Sequence, residues 1–430
     1  MTTMSTNITL TYSPYASEKE NVGCESMVQF NFLIDVEFLL MHMYDASIPI
    51  TIIHGQKDRP RYNMDRTNIK VDSPEIRDKY GTHHTKAMLL FFRDPETGTK
   101  TVQMIVMTAN LIQEDWEYMT QGVYRTPRCP LKSIENRSIR GTLIGSEYGS
   151  PFEHELIKYL KAYQLRRIFD IVIKLKLYDW SSCKAILVGS VPGRHRDSAF
   201  RSWGIERLAT VLRYNIYLPE PCRSSSQLVL QCSSMASSPQ KWFDSLCQKM
   251  SESMENGSRA RTPKICVVYP TVETATKSVT ERYTSGDFLR FEEKSYQKNH
   301  TWFDSYLYDW KSQNVGRQHI MPHIKTYTRV YQDTDGQPSV AWHLLTSSNL
   351  SRAAWGEYQI NETQLYIKSF ELGVFFCPSL WEDDSKEVVL RPATNSRAYA
   401  EKRKAVKVRL PYDLPLVRHS KPRQCFTRIE

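Results

Sequence analysis

His84 and Asn110 are separated by 26 positions, and so are His323 and Asn349. That coincidence constrains the fold more than anything in the composition. Each His opens a His-x-Lys, as His84-Thr85-Lys86 and His323-Ile324-Lys325, each Asn is followed by Leu, and a Trp lies six places beyond each Asn, at Trp116 and Trp355. Four residue types recurring in one order at one set of offsets mark two copies of one structural unit, not an array of short repeats. A chain of 430 residues suits this, with room for two domains of about 200 residues and a sizeable core in each.

The repeated residues suit phosphoryl chemistry. An imidazole attacks phosphorus or shuttles a proton near neutral pH because its unperturbed pKa is about 6.5. Ammonium and carboxamide donors aimed at the non-bridging oxygens stabilise the charge that develops there, with no metal required. Two copies offer two imidazoles to one phosphate. One forms a covalent phosphohistidine, and the other protonates the leaving oxygen and then activates water. No cofactor and no metal is expected: the nine cysteines lack a CxxC pair or metal-like spacing, which points to a reducing compartment.

Charge is informative chiefly through its distribution. The net charge of +10 suggests a polyanionic partner. Residues 391–430, however, hold eleven Lys/Arg against three Asp/Glu, so eight of the ten excess charges sit in the tail and the body is close to neutral. A nucleic-acid groove must therefore come from local clustering. The stretch from Met1 to Tyr15 lacks the basic and apolar regions of a secretory signal, and no apolar run approaches the ~18 residues a membrane span needs. The expectation is a protein of the cell interior with no membrane partner, and Lys402-Arg403-Lys404 reads as a nuclear address.

Along the chain, residues 1–25 are polar and expected to fray. The apolar run from Phe30 to Leu40 has the length of a helix, and Ile48 to Gly55 reads as a buried strand. His84 to Phe92 starts polar and turns apolar, like a strand leaving a site rim. Alternation puts His84 and Lys86 on one face and His83 on the other, as a structural neighbour. Thr101 to Thr108 is the paired strand that brings Asn110 to the same rim. Glu155 to Tyr163 reads as an amphipathic helix, a domain boundary falls near Leu177, and the aromatic stretch from Trp302 to Trp310 reads as core. Trp342 to Ser347 carries Asn349 to the rim.

At these residues the chain resembles a family. The paired His-x-Lys and Asn sets are similar to those of the phospholipase D superfamily, and the flanks narrow the likeness to its tyrosyl-DNA phosphodiesterase branch. Those flanks are Gly81-Thr82-His83-His84-Thr85-Lys86, Thr120-Gln121-Gly122, Pro322-His323-Ile324-Lys325-Thr326-Tyr327 and Asn349-Leu350-Ser351-Arg352-Ala353-Ala354-Trp355-Gly356. The Asp that most superfamily members carry five places beyond the Lys is Phe91 in one half and Val330 in the other, a departure that this branch shares. The likeness runs from about residue 28 to 415, and the closing segment of the family is absent, so the final edge of the second domain is expected to be incomplete.

The resemblance implies an α/β fold of two phospholipase-D-like domains, residues 28–177 and 178–430 with the basic tail. Each would be a mixed β-sheet flanked by helices, the two related by pseudo-twofold symmetry around one site. It implies His84 as nucleophile, His323 as acid and base, Lys86, Lys325, Asn110 and Asn349 on the non-bridging oxygens, and crossed partners, Glu371 for His84 and Gln121 for His323. Tyr80 would stack on a terminal base. Ser233, Ser234 and Ser237, with Ser347 and Ser351, would line the DNA backbone. The substrate implied is single- or double-stranded DNA whose 3′ end bears a tyrosyl or topoisomerase-derived peptide, handled by a monomer in the nucleus. Another superfamily nuclease or lipase, or a DNA-end-binding module without catalysis, would share the motifs. Phe91, Val330 and the flanks count against the first, and two complete His-Lys-Asn sets against the second.

Overall fold

The computed structural model describes the chain apart from residues 1–3, 6–7, 12–21, 56–59, 61–65, 134–148, 255–261, 280–287, 383–386, 394–403, 422–423 and 429–430. Two mixed sheets repeat one topology. In the first, Ile8–Thr11, Gln121–Arg125, Lys100–Met107, Ala87–Arg93, Cys24–Asn31, Ile50–His54 and Ile69–Asp72 lie side by side in that order. In the second the order is Ile186–Ser190, Glu371–Phe376, Pro338–Thr346, Thr326–Gln332, Gln227–Gln231, Lys264–Val268 and Leu307–Tyr308. The pairings agree in sense throughout, antiparallel across the first five strands and parallel across the last two joins. The repeat seen in the motif is thus a repeat of architecture. In both sheets the His-x-Lys leads into the fourth strand, the Asn follows the third, and Gln121 or Glu371 opens the second.

These strands are apolar without alternation because both faces are covered. In Ala87–Arg93, Met88, Leu90 and Phe92 pack with Phe38 and Leu39 of the helix Val36–Met41. Ala87, Leu89 and Phe91 point the other way, into a core shared with Leu344, Leu345 and Phe376 of the second sheet. That shared core joins the halves. The rings of Tyr124 and Phe376 meet edge-on at 5.4 Å across it. Gly122 permits the approach: a Cβ there would lie 2.6 Å from Leu345 Cδ1 and 2.7 Å from Ile324 Cδ1.

Three expectations fail. The run from Phe30 to Leu40 is not one helix. Cys24–Asn31 is a strand bonded on both sides, and only Val36–Met41 is helical, because the Asp35 side chain accepts from Phe38 N and caps a helix that begins there. The first 25 residues do not simply fray. Met4–Ser5 pairs with Lys404–Val408, and Ile8–Thr11 pairs with Gln121–Arg125, so the first sheet begins upstream of residue 28. Nor is the ending an unfinished edge. Val388–Pro392 and Lys404–Val408 extend the second sheet, and the last residues fold back on it through Asp309 N to Val417 O (2.8 Å) and Phe426 N to Pro270 O (3.0 Å). Lys402 and Arg403 of the basic triplet lie outside the described residues. Among the described residues no helix is long and apolar enough to cross a membrane.

Candidate active site

Both His-x-Lys segments are strapped to the opposite half. His84 N donates to Phe370 O (2.9 Å) and Phe370 N to Thr82 O (2.9 Å), while His323 N donates to Thr120 O (3.0 Å) and Thr120 N to Met321 O (2.8 Å). The residue that follows Phe370 is Glu371, and the one that follows Thr120 is Gln121. Each strap therefore delivers an orienting side chain to the imidazole of the other half.

The two deliveries differ chemically. Glu371 Oε2 accepts directly from His84 Nδ1 at 2.9 Å. Gln121 brings its amide nitrogen within 3.1 Å of His323 Nδ1, but that nitrogen also donates to Asp115 O at 3.0 Å and to Asp115 Oδ2 at 3.2 Å. The carboxylate for His323 is Asp115, whose Oδ2 accepts from His323 Nδ1 at 3.0 Å. In both halves Nδ1–H is the end that donates, so Nε2 is the end presented to substrate. Asp115 escaped the sequence reading. It is one of three acidic residues in Glu114-Asp115-Trp116-Glu117, and only the single turn Gln113–Glu117 aims it inward.

A hydroxyl two places before each Asn fixes the orienting group. Thr108 Oγ1 donates to Gln121 Oε1 at 2.7 Å and accepts from Gly122 N at 3.0 Å. Ser347 Oγ donates to Glu371 Oε2 and accepts from Leu372 N at 3.1 Å. Ser347, expected on the DNA backbone, is instead wholly buried. Its physical reason is the match with Thr108. Ser233 is also buried: its N–H and hydroxyl donate to Asn349 Oδ1 at 3.2 and 3.3 Å, and Ser234 N adds a third bond at 3.0 Å. With its oxygen so held, Asn349 has its NH₂ left to donate. Asn110 is held alike, its Oδ1 accepting from Leu33 N at 3.4 Å.

The remaining expected contacts lie nearer the surface. Tyr80 is 69% exposed, with the Lys368 ammonium 5.3 Å from its ring centre. Ser237 is exposed and Ser234 half-buried. Ser351 caps the turn Arg352–Trp355, its side chain accepting from Ala354 N. Trp116 donates from its indole to Asn110 O at 2.7 Å, behind the site.

Lys86 Nζ donates to His84 O at 3.1 Å and Lys325 Nζ to His323 O. Burial pushes Lys86 down to about 8 against the pull of Glu371 and Asp115. Burial and then the charge of Lys86 push Lys325 well below the ordinary lysine range. His84 is lowered by burial, against Glu371. His323 is lowered by burial to about 4, against Asp115. Burial would raise Asp115 and Glu371, but the imidazoles beside them overcome it and hold both carboxyls below their usual range. Burial and mutual repulsion thus disfavour the charged forms of both imidazoles and both lysines, and a bound anion relieves that repulsion. Among the described residues no cluster of His, Cys, Asp and Glu is built to hold a metal ion.

A family model described as tyrosyl-DNA phosphodiesterase matches residues 17–420. Tyrosyl-DNA phosphodiesterase 1 of Drosophila melanogaster is 29% identical over 418 residues, 92% of this chain and 67% of that protein. Its namesake in Arabidopsis thaliana is 33% identical over 365 residues, 81% of this chain and 56% of that protein. The crystal structure of the yeast tyrosyl-DNA phosphodiesterase shares the fold, with a TM-score of 0.69 at 18% identity over 97% of this chain and 95% of that one.

Proposed function

The chain belongs to the tyrosyl-DNA phosphodiesterase family, and from that membership we propose that it hydrolyses the bond between a DNA 3′ phosphate and a topoisomerase tyrosine. The observation that carries the reading is the crossed pairing, Glu371 on His84 and Asp115 with Gln121 on His323. It gives two tautomer-fixed imidazoles to one site built from both halves, which we take as domains dividing near Leu177, the first extended upstream of residue 28 by the strands Ile8–Thr11 and Cys24–Asn31.

In this mechanism His84 Nε2 attacks phosphorus and the P–O bond to tyrosine breaks. His323 gives its proton to the phenolate, a good leaving group with a pKa of about 10. His323 then takes a proton from water, which displaces His84 and leaves a free 3′ phosphate. Lys86, Lys325, Asn110 and Asn349 hold the non-bridging oxygens. His323 must be protonated for the first step. The incoming phosphodiester supplies the counter-charge that opposes the lysines, raising His323 from about 4 when substrate binds.

Tyr80 and Lys368 offer an aromatic face and a cation to the DNA strand beside His84. Ser234, Ser237 and Ser351 would meet the DNA backbone near Asn349, whose Oδ1 accepts from Ser234 N. The working form is a monomer acting in the nucleus, on other 3′ adducts as well as tyrosine, without a cofactor.

The test is turnover of a 3′-tyrosyl oligonucleotide in excess chelator, beside phosphatidylcholine and an unmodified strand. Release of tyrosine alone supports the reading, and absence of release ends it. His323→Ala should trap labelled DNA on the protein and His84→Ala should not. Equal trapping in both reverses the roles.

A further inference from the structure

Between and beside His84 and Lys86 stand two residues that the mechanism does not use, His83 and Thr85. Both point to the opposite face and both are wholly buried. Each meets a tyrosine from the helix Pro151–Lys161 or the residues just beyond it. Thr85 Oγ1 lies 2.5 Å from Tyr159 OH, Tyr159 OH lies 3.4 Å from Tyr163 OH, Tyr163 OH lies 2.9 Å from His83 Nε2, and His83 Nδ1 lies 3.2 Å from Asn31 O.

The chain of bonds has a forced direction. A carbonyl only accepts, so His83 Nδ1–H donates to Asn31 O and the ring is neutral with Nε2 accepting. Tyr163 then donates to His83, Tyr159 to Tyr163, and Thr85 to Tyr159, so every hydroxyl proton has one destination. Burial keeps His83 neutral by lowering it to about 3, and holds both tyrosines protonated by raising them. Tyr163 also stacks on Phe370, ring centres 4.5 Å apart at 19°. Phe370 O accepts from His84 N, and Glu371 follows it. The same tyrosine therefore underlies the backbone of His84 and the strand that carries its carboxylate.

Among the described residues the second half has no such device. Pro322 and Ile324 flank His323, and neither side chain has a polar atom to tie. The two imidazoles sit in equivalent frames, but among the described residues only His84 is anchored from behind by directional bonds.

We propose that Tyr159 and Tyr163, acting through Thr85 and His83, are positioning residues that hold His84 for attack on phosphorus. This rests on the reading of His84 as the nucleophile. The role falls on one step. Attack needs the imidazole nitrogen in line with the leaving oxygen, and a small misplacement there is costly. Once the phosphorus–nitrogen bond exists, the covalent link itself fixes the ring.

The experiment uses single-turnover kinetics on a 3′-tyrosyl oligonucleotide with wild type, Tyr159→Phe, Tyr163→Phe, Thr85→Val and Thr85→Ser. Each change keeps the packing nearly intact, and thermal unfolding of each variant shows whether it is folded. The rate of tyrosine release should drop roughly tenfold or more in the two Phe variants and in Thr85→Val. It should recover in Thr85→Ser, which keeps the hydroxyl. DNA affinity and the rate at which the adduct breaks down should stay at wild-type values. Folded Phe variants that release tyrosine at the wild-type rate overturn the proposal, and so does equal slowing of release and breakdown. A wild-type protein with no tyrosine release would instead defeat the function on which the proposal rests.

Discussion

Asp115 Oδ2 accepts from His323 Nδ1 at 3.0 Å, although 208 positions separate the two residues in the chain. The carboxylate is fully buried and also receives the Asn110 N–H and the Gln121 amide. In the proposed mechanism it would fix the tautomer of the ring and stabilise the imidazolium that acid catalysis requires. Asp115→Asn keeps the shape and removes the charge. It should lower kcat by roughly 10²- to 10⁴-fold while DNA affinity holds. Adduct should accumulate, because His323 is then a poor base toward water. Rapid-quench analysis measures this, and adduct levels no higher than wild type would count against the assignment.

The alkaline limb of activity should report Lys86. Held down to about 8 by burial, it loses its charge as pH rises through that value in the free protein, earlier than an exposed lysine near 10.4. The sign is a fall in kcat/KM as pH increases. In kcat the same limb should lie higher, since bound phosphate favours the ammonium. Lys86→Arg stays charged and should move the limb upward while lowering the maximum. A kcat/KM profile that stays level well past pH 8 contradicts this.

Acid should unfold the protein through its buried imidazoles. Burial lowers His83 and His343 to about 3 and His323 to about 4, whereas each titrates near 6.5 in the unfolded chain. The unfolded state therefore binds more protons between those values. Stability is full above about pH 6.5 and is lost as pH falls toward about 3. His343 Nδ1 meets Thr328 Oγ1 at 2.8 Å, and its Nε2 is buried without a partner. Replacing it with Leu should flatten the slope by up to about 1.4 kcal/mol per pH unit, the worth of one proton. Urea midpoints across this range test it. Equal slopes in the two proteins would show that His343 is not part of the linkage.

Gly122→Ala places a methyl 2.6 Å from Leu345 Cδ1 and 2.7 Å from Ile324 Cδ1, where the two sheets touch. Overpacking of this kind costs about 1–3 kcal/mol. Because Gly122 follows Gln121, activity should fall together with the denaturation midpoint. Unchanged midpoint and activity would mean the sheets part more easily than their packing implies.

The repeat was legible because the repeated side chains sit at fixed distances from strand ends, and strand lengths are set by the core. His84, Lys86, Asn110 and their counterparts could be placed by counting, and Gln121 and Glu371 by resemblance. Asp115 was hidden among acidic neighbours, since one helical turn decides which of them faces inward and nothing in the spacing marks it. Ser347 looked like a surface hydroxyl until its pairing with Glu371 was seen. The run from Phe30 to Leu40 misled because a strand buried on both faces is as uniformly apolar as a buried helix. Ile8–Thr11 was missed for another reason: its partner Gln121–Arg125 lies over a hundred residues away, and pairing at that range leaves no local pattern.

Straps that carry each carboxylate or amide across to the opposite imidazole leave neither half with the orienting group of its own histidine. A fragment ending before Ile186 would keep His84 but lose Glu371, and the complementary piece would keep His323 without Asp115. One polypeptide holding both copies leaves them free to differ, and here they do: a glutamate orients one imidazole, a glutamine backed by an aspartate the other.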